Sequence, residues 1–170
     1  CVTGVQTCAL PIYELRGDPG LLSMLADSCE RTGVSAIELK RVPMDEVSAY
    51  GVITPSASSP ADGPFEIEGI VEKPRKEDAP SDLIILGRYV LTPDIFGHID
   101  ELKPHPNGEL QLTDAMLAQS RVKPILGHLT TTERWDTGTP FGWLTAVVDN
   151  ALRRPDTGPQ LRAWLRDRLG

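Results

Sequence analysis

Cysteine is scarce in this sequence, long apolar runs are missing, and basic residues are outnumbered. Three cysteines occur in 170 residues, two of them within the first twelve. Past that segment Cys29 stands alone, which argues against a disulfide framework or a cysteine-built metal site and fits a reducing, cytoplasmic setting. No apolar stretch approaches the roughly 20 residues of a membrane span. Lys and Arg number 17 against 24 Asp and Glu, giving a net charge of −7, so a broad electrostatic grip on nucleic acid is not expected. An anionic small substrate would need a local positive field from a lysine, an arginine or a metal ion. His98, His105 and His128 fit no metal-ligand spacing and pair with no recognisable nucleophile, so they read as surface or core-edge residues. There is no internal repeat.

What is present describes an ordinary globular chain, 40% hydrophobic and 24% charged, long enough for one domain with a real core. The first twelve residues, "CVTGVQTCALPI", hold no charge and follow no period of 2 or 3.6. They also lack the basic start and apolar centre of a secretory signal. They are expected to be an artefactual leader, with the chain proper beginning near Tyr13 inside something larger.

Asp18-Pro19 reads as an N-cap and first-turn proline, with Leu22, Leu25 and Cys29 on one helical face and Gly33 as the stop. "VSAIELKRV" (34–42), "SAYGVIT" (48–54) and "FEIEGIVEKP" (65–74) read as strands. "PRKEDAPSD" reads as a mobile, proline-bounded surface loop. "LIILGRYVL" (83–91) has the continuous apolar pattern of a strand covered on both faces. Thr92-Pro93 opens a short helix. Thr113 is expected to cap another, with Leu112 and Leu117 as a hydrophobic staple. "VKPILGHL" (122–129) reads as a strand. Thr139-Pro140 opens a helix carrying Phe141, Leu144, Val148 and Leu152 on one face. Leu161, Trp164, Leu165 and Leu169 mark a last amphipathic helix. Interleaved strands and helices predict an α/β fold, a mixed sheet with helices packed on it.

A few residues could carry chemistry. Gly51 interrupts a strand pattern, which fits either a β-bulge or a close approach of something to the backbone. Gly87 and Arg88 interrupt another, as a bulge with an internal ion pair or as a ligand contact. Glu72 and Lys73 end a strand side by side before Pro74. They form either a solvated ion pair or a site, with the carboxylate accepting bonds from two sugar hydroxyls and the ammonium holding the phosphate of the same sugar. Alternating side chains point to opposite faces, so both reach one ligand only if the strand ends or bulges there. In "RWDTGTP", Asp136 is either a turn carboxylate or a hard oxygen ligand for Mg²⁺ beside a helix N-terminus that favours phosphate. "NGELQLTDA" places Glu109 and Asp114 at a turn and a helix start.

In order, "EVSAYGVI", "GIVEKP", "APSDLIILGRYVLTPDIF", "GELQLTDA" and "WDTGTP" resemble the sugar-phosphate nucleotidyltransferases. "APS-x-L", "GRYVL" and "GE-x-QLTDA" resemble most closely their bacterial branch, the UTP–glucose-1-phosphate uridylyltransferases. The likeness runs from about Tyr13 to Gly170. It implies a three-layer α/β/α mixed sheet of the nucleotide-diphospho-sugar transferase type. It further implies transfer from UTP to α-D-glucose 1-phosphate, giving UDP-glucose and pyrophosphate by positioning and charge neutralisation. Carried over by motif, Gly51 presents backbone to the sugar, Glu72 binds hydroxyls, Lys73 approaches the phosphate, Gly87 lines the pocket with Arg88 in support, and Asp136 is one of two Mg²⁺ ligands. Family members also form pairs or tetramers, so a homo-oligomer is compatible with the resemblance.

The family's glycine-rich nucleotide loop with its catalytic arginine and lysine, and its first metal aspartate, find no counterpart here. Asn107 stands where related thymidylyltransferases place a phosphate-binding arginine. The expectation is therefore a partial domain over 13–170, lacking the N-terminal nucleotide-binding βαβ units, holding no catalytic residue of its own and inactive alone. Three alternatives stay open: a glucose-1-phosphate thymidylyltransferase fragment, a non-catalytic sugar-phosphate-binding relative, and a piece whose strands 34–42 and 48–54 lose their neighbours and aggregate.

Overall fold

The computed structural model describes residues 15–16, 20–57, 63–131, 133–135 and 137–170. The expected leader, Asp18-Pro19 and Asp136 lie outside the described residues. In chain order the elements are β1 (Leu15–Arg16), α1 (Leu21–Thr32), β2 (Ser35–Arg41), β3 (Gly51–Pro55), β4 (Phe65–Glu72), β5 (Leu83–Val90), α2 (Ile95–Asp100), α3 (Leu112–Ser120), β6 (Ile125–Leu129), β7 (Glu133–Arg134), α4 (Pro140–Arg153) and α5 (Gly158–Leu169). They fall into two compact units, one over Pro19–Thr131 and one including Thr132–Gly170.

In the first unit the sheet is mixed, as the interleaved pattern predicts. β2 pairs antiparallel with β5 and parallel with β6, and β3 pairs antiparallel with β4 and with β5. A short antiparallel contact, Phe65 with Gly127 and Glu66 with Leu126, joins β4 to β6. The order β2-β5-β3-β4-β6 therefore closes on itself, a closure that the expected three-layer mixed sheet did not include. Closure also removes the predicted loss of neighbours: β2 and β3 each have partners on both sides. At the closing seam a Cβ on Gly127 would lie 2.4 Å from Leu39 Cδ1 and 3.3 Å from Phe65 Cε2. A side chain at 127 would displace the Leu39 and Phe65 side chains packed against it.

The core inside the ring holds Ile37, Leu39, Ile53, Ile67, Ile85 and Ile125, and α3 adds Ala115 and Met116 to it. α3 thus packs its apolar face into the strand ring, mainly against β4. On the other face of β2, Ala36 packs with Leu25 of α1 and Val90. α1 buries Leu21, Leu25 and Ser28, whereas Leu22, expected on the core face, is 57% exposed. Gly33 ends the helix as predicted, in the left-handed region with its N–H donating 2.8 Å to Cys29 O. A buried polar knot fixes the far end of α3: Ser35 Oγ donates to Gln119 Oε1 at 2.9 Å, and Gln119 Nε2 donates to Thr92 Oγ1 at 3.0 Å and to Asp94 Oδ2 at 2.8 Å. A hydrogen bond from the Thr92 side chain, with the one from Gln119, holds the Asp94 carboxyl below its ordinary value despite partial burial.

The segment "PRKEDAPSD" is not the mobile loop its composition suggested. It forms a short 3₁₀ turn at Lys76–Asp78, Arg75 Nε donates to Asp78 Oδ2 at 2.7 Å, and Ala79 packs against a second core cluster of Val42, Val47, Val52, Ile84 and Leu86. Ser81 Oγ donates to Ile53 O at 2.5 Å and accepts from Leu83 N at 3.1 Å, tying the loop's end to β3 and β5.

The second unit holds α4 and α5. Thr139 caps α4 as expected, accepting from Gly142 N at 3.0 Å, with Pro140 in its first turn. Gly158, at the start of α5, sits where a Cβ would meet Leu152 O at 2.3 Å, so the corner between the two helices requires glycine. The predicted apolar stripe of α4 is largely solvent-facing, with Phe141 77% and Leu144 51% exposed. Among the described residues no helix is long and apolar enough to cross a membrane.

Candidate functional site

Strand register gathers the sequence-predicted residues of the first unit at one end of the ring. Gly51 opens β3 and is paired with Glu72, the last residue of β4. β5 runs antiparallel to β3 with Val52 opposite Ile84, so β5 residues beyond Ile84 point toward that same end. Gly51 is the first residue of its strand rather than an interior bulge, and the register shift of this hairpin falls at Thr54/Pro55 instead. The hairpin delivers a carboxylate and a backbone with no side chain to one spot.

Lys73 then breaks the alternation. It has φ 46°, the sole positive φ at a non-glycine position among the described residues, and its N–H donates 3.0 Å to Tyr50 O. In a continuing strand its side chain would point away from that of Glu72. The left-handed turn instead brings Lys73 Nζ to 4.0 Å from Glu72 Oε1, and Pro74, buried, prevents the strand from resuming. The Glu72 side chain is 21% exposed and the Lys73 side chain 61%, so the carboxylate lines the floor while the ammonium reaches out from the rim.

Side chains pack directly over Gly51. A Cβ there would lie 3.1 Å from Glu72 Oε2, 3.3 Å from Thr113 Cγ2 and 3.4 Å from Ile85 Cδ1. Thr113 thereby becomes a wall residue, a role the sequence reading missed by making it the helix cap. The cap position belongs to Gln111, which makes no side-chain cap bond. Thr113 Oγ1 is buried without a hydrogen-bond partner, while its Cγ2 is the atom that faces Gly51. Its sequence neighbourhood, "QLTDA", carried no local sign of this role.

Gly87 sits at a bulge, as one of its two readings held. Between the pairs Leu39–Ile85 and Ile37–Tyr89, β5 spends four residues where β2 spends two. Gly87 takes φ 80° there, and its missing side chain faces the Tyr89 hydroxyl at 3.7 Å. Arg88 Nη1 donates to Leu86 O at 3.4 Å, a long bond within the bulge. Asn107 is committed locally: Nδ2 donates to Glu109 Oε2 at 2.9 Å and Oδ1 accepts from Glu109 N at 3.1 Å. A carboxylate already engages it, so it does not replace a phosphate-binding arginine.

The histidines behave as core-edge and surface residues. His128 Nε2 lies 2.9 Å from Ser28 Oγ in a buried contact, and burial followed by the Arg31 charge pushes its pKa below the usual histidine value. Among the described residues no group of three or more His, Cys, Asp or Glu could hold a metal. In the second unit Thr137 Oγ1 is buried without a partner, and the Arg153 guanidinium lies 5.7 Å from the Trp135 ring centroid.

An acid and a base turned toward each other at a strand tip suit a small polyhydroxylated anion. The Nucleotidyl transferase family profile matches residues 15–151, and the chain belongs to that family. Among individual proteins, it is 42% identical over 145 residues to the UTP–glucose-1-phosphate uridylyltransferase of Streptococcus pneumoniae serotype 4, a match covering 85% of this chain and 48% of that protein. It also superposes on a solved UDP-glucose pyrophosphorylase complexed with UDP-glucose, with a TM-score of 0.76 at 35% identity, covering 84% of this chain and 54% of that one. A UTP-bound UGPase from Acinetobacter baumannii gives a TM-score of 0.76 at 26% identity, covering 90% and 53%. The chain spans about half the length of the curated relatives it matches.

Proposed function

We propose that these residues form the sugar-phosphate side of an enzyme that makes UDP-glucose and pyrophosphate from UTP and α-D-glucose 1-phosphate. The observation that carries this reading is the left-handed turn at Lys73, which puts its ammonium 4.0 Å from the Glu72 carboxylate at the tip of β4. Glu72 accepts hydrogen bonds from two sugar hydroxyls, Gly51 presents backbone to the sugar once the Glu72 side chain beside it turns to the ligand, and Lys73 neutralises the sugar phosphate. Gly87 lines the same end of the ring, with Arg88 supporting the bulge. These groups orient the attacking phosphate oxygen and offset its charge, and no covalent intermediate on this chain is required.

Mg²⁺ enters the proposal through Asp136 as one carboxylate ligand. A hard cation with few protein ligands suits one or two carboxylates plus substrate phosphate oxygens, of which Asp136 would be one, and bound there it would neutralise phosphate charge. The nucleotide-binding units are proposed to lie outside these 170 residues, in keeping with the half-length match, and residues 1–12 are proposed to be unrelated to the fold. The reaction is assigned to the cytoplasm, with assembly into homo-oligomers as the resemblance allows.

Isothermal titration of glucose 1-phosphate into the 170-residue chain tests this directly. Binding is expected, with glucose and inorganic phosphate each binding more weakly, and with no UDP-glucose formed when UTP and Mg²⁺ are added. Binding unaffected by both E72Q and K73A would refute the site, and UDP-glucose synthesis by the chain alone would refute the division of labour.

A further inference from the structure

The loop between α2 and α3 is tied first to itself and then to the helix. Gly108 N donates to His105 O at 2.8 Å and His105 N to Glu109 O at 2.9 Å. The Glu109 carboxylate also accepts from Asn107 Nδ2 and, at 3.1 Å, from Gln111 Nε2. So cross-linked, residues 105–109 move as one block. From that block His105 Nε2 reaches Asp114 Oδ2 at 2.6 Å, in the first turn of α3.

That first turn needs such a tie. Gln111 makes no side-chain cap bond, and an uncapped turn frays more readily than the helix behind it. Asp114 is well placed near the helix N-terminus electrostatically, but a lone carboxylate does not fix the turn's position. Thr113, which walls the space over Gly51, is the residue just before Asp114. At the opposite end α3 is already locked by the buried Gln119 knot. The end without such a buried lock is the one that sets Thr113 Cγ2 beside Gly51.

We infer that His105 is a positioning residue for the sugar-phosphate pocket, clamping Asp114 so that the first turn of α3 holds Thr113 against Gly51 and Glu72. The inference rests on reading that pocket as the glucose 1-phosphate site. It assigns a role to a histidine that touches neither the sugar nor the phosphate. Both partners are about two-fifths exposed, 42% and 40%, so the clamp is modest in strength and its loss leaves the fold standing. Its effect is local because α3 is held independently at its far end.

The test titrates glucose 1-phosphate into the 170-residue chain carrying His105→Ala or His105→Gln, with amide hydrogen exchange followed at 113–115. His105→Ala is expected to weaken binding about threefold to fivefold, to speed exchange at 113–115 and to leave the thermal midpoint unchanged. His105→Gln, which keeps a neutral donor, is expected to recover most of the affinity. Wild-type affinity and wild-type exchange in His105→Ala would overturn the inference, as would a loss that His105→Gln fails to recover. If the unmutated chain does not bind glucose 1-phosphate, the functional reading of the pocket fails. The clamp is then judged by exchange alone: faster exchange at 113–115 in His105→Ala supports it, and unchanged exchange overturns it.

Discussion

Replacing Lys73 separates its backbone from its charge. At φ 46° its Cβ is crowded, a cost of roughly 1–2 kcal/mol for a residue other than glycine. Glycine removes that strain but carries extra freedom into the unfolded chain, which costs about 0.5–1 kcal/mol. The ion pair with Glu72 is 4.0 Å long with Lys73 61% exposed, so its removal changes stability by a few tenths of a kcal/mol at most after screening. Lys73→Ala loses the pair and keeps the strain; Lys73→Gly loses both. The glycine variant should therefore be about 0.5 kcal/mol more stable than the alanine variant, a shift of roughly 1–2 °C in thermal midpoint. Binding should fall equally in both, about 10- to 100-fold for loss of a charge-assisted contact to phosphate. Paired urea melts and titrations with glucose 1-phosphate measure the two effects. An alanine variant more stable than the glycine one would show that the turn is unstrained, and undiminished binding would show that the ammonium is not on the phosphate.

Other perturbations follow from the same geometry. Gly51→Ala should destabilise by about 1 kcal/mol through overpacking of a buried position and weaken glucose 1-phosphate binding, since the new methyl would meet Glu72 Oε2 and Thr113 Cγ2 at 3.1 and 3.3 Å; equal affinity in calorimetry would rule out Gly51 as part of the site. Gly127→Ala should destabilise by about 1–3 kcal/mol through overpacking against Leu39, and a double-mutant cycle with Leu39→Ala should show coupling between the two. Because burial lowers the pKa of His128 from 6.5, the unfolded chain takes up the proton first as pH falls. Stability is fully present above about pH 6.5 and declines below it, toward the lower folded value; urea midpoints between pH 7.5 and 5 should show a slope contribution that His128→Gln removes.

Local chemistry was legible in the sequence wherever it acted locally. Gly33 and Thr139-Pro140 terminate and start their helices as read, because capping depends on a few adjacent residues. The convergence of Glu72 and Lys73 was half legible: adjacency was visible, and Pro74 hinted that the strand stops. The left-handed turn was not legible, since nothing about a lysine announces positive φ. Gly51 looked like an interior defect because its partner, Glu72, is fixed by hairpin register rather than by neighbours. The same limit hid the closing seam, where Phe65 and Gly127 meet across a wide separation in sequence. Thr113 misled for a physical reason, as its hydroxyl is a favoured helix cap but here is buried without a partner, one residue inside the helix. Asp136 rests on its motif.

The bridge made by Ser81 has a mechanical consequence. One hydroxyl fastens the return leg of the charged loop to two neighbouring strands, while buried Pro74 anchors the outgoing leg. Between those two rivets the acidic and basic residues 75–78 can be exchanged, lengthened or recharged without transmitting a tug to the lysine that precedes them. Surface chemistry around the mouth is thus free to drift, while the grip inside keeps its shape.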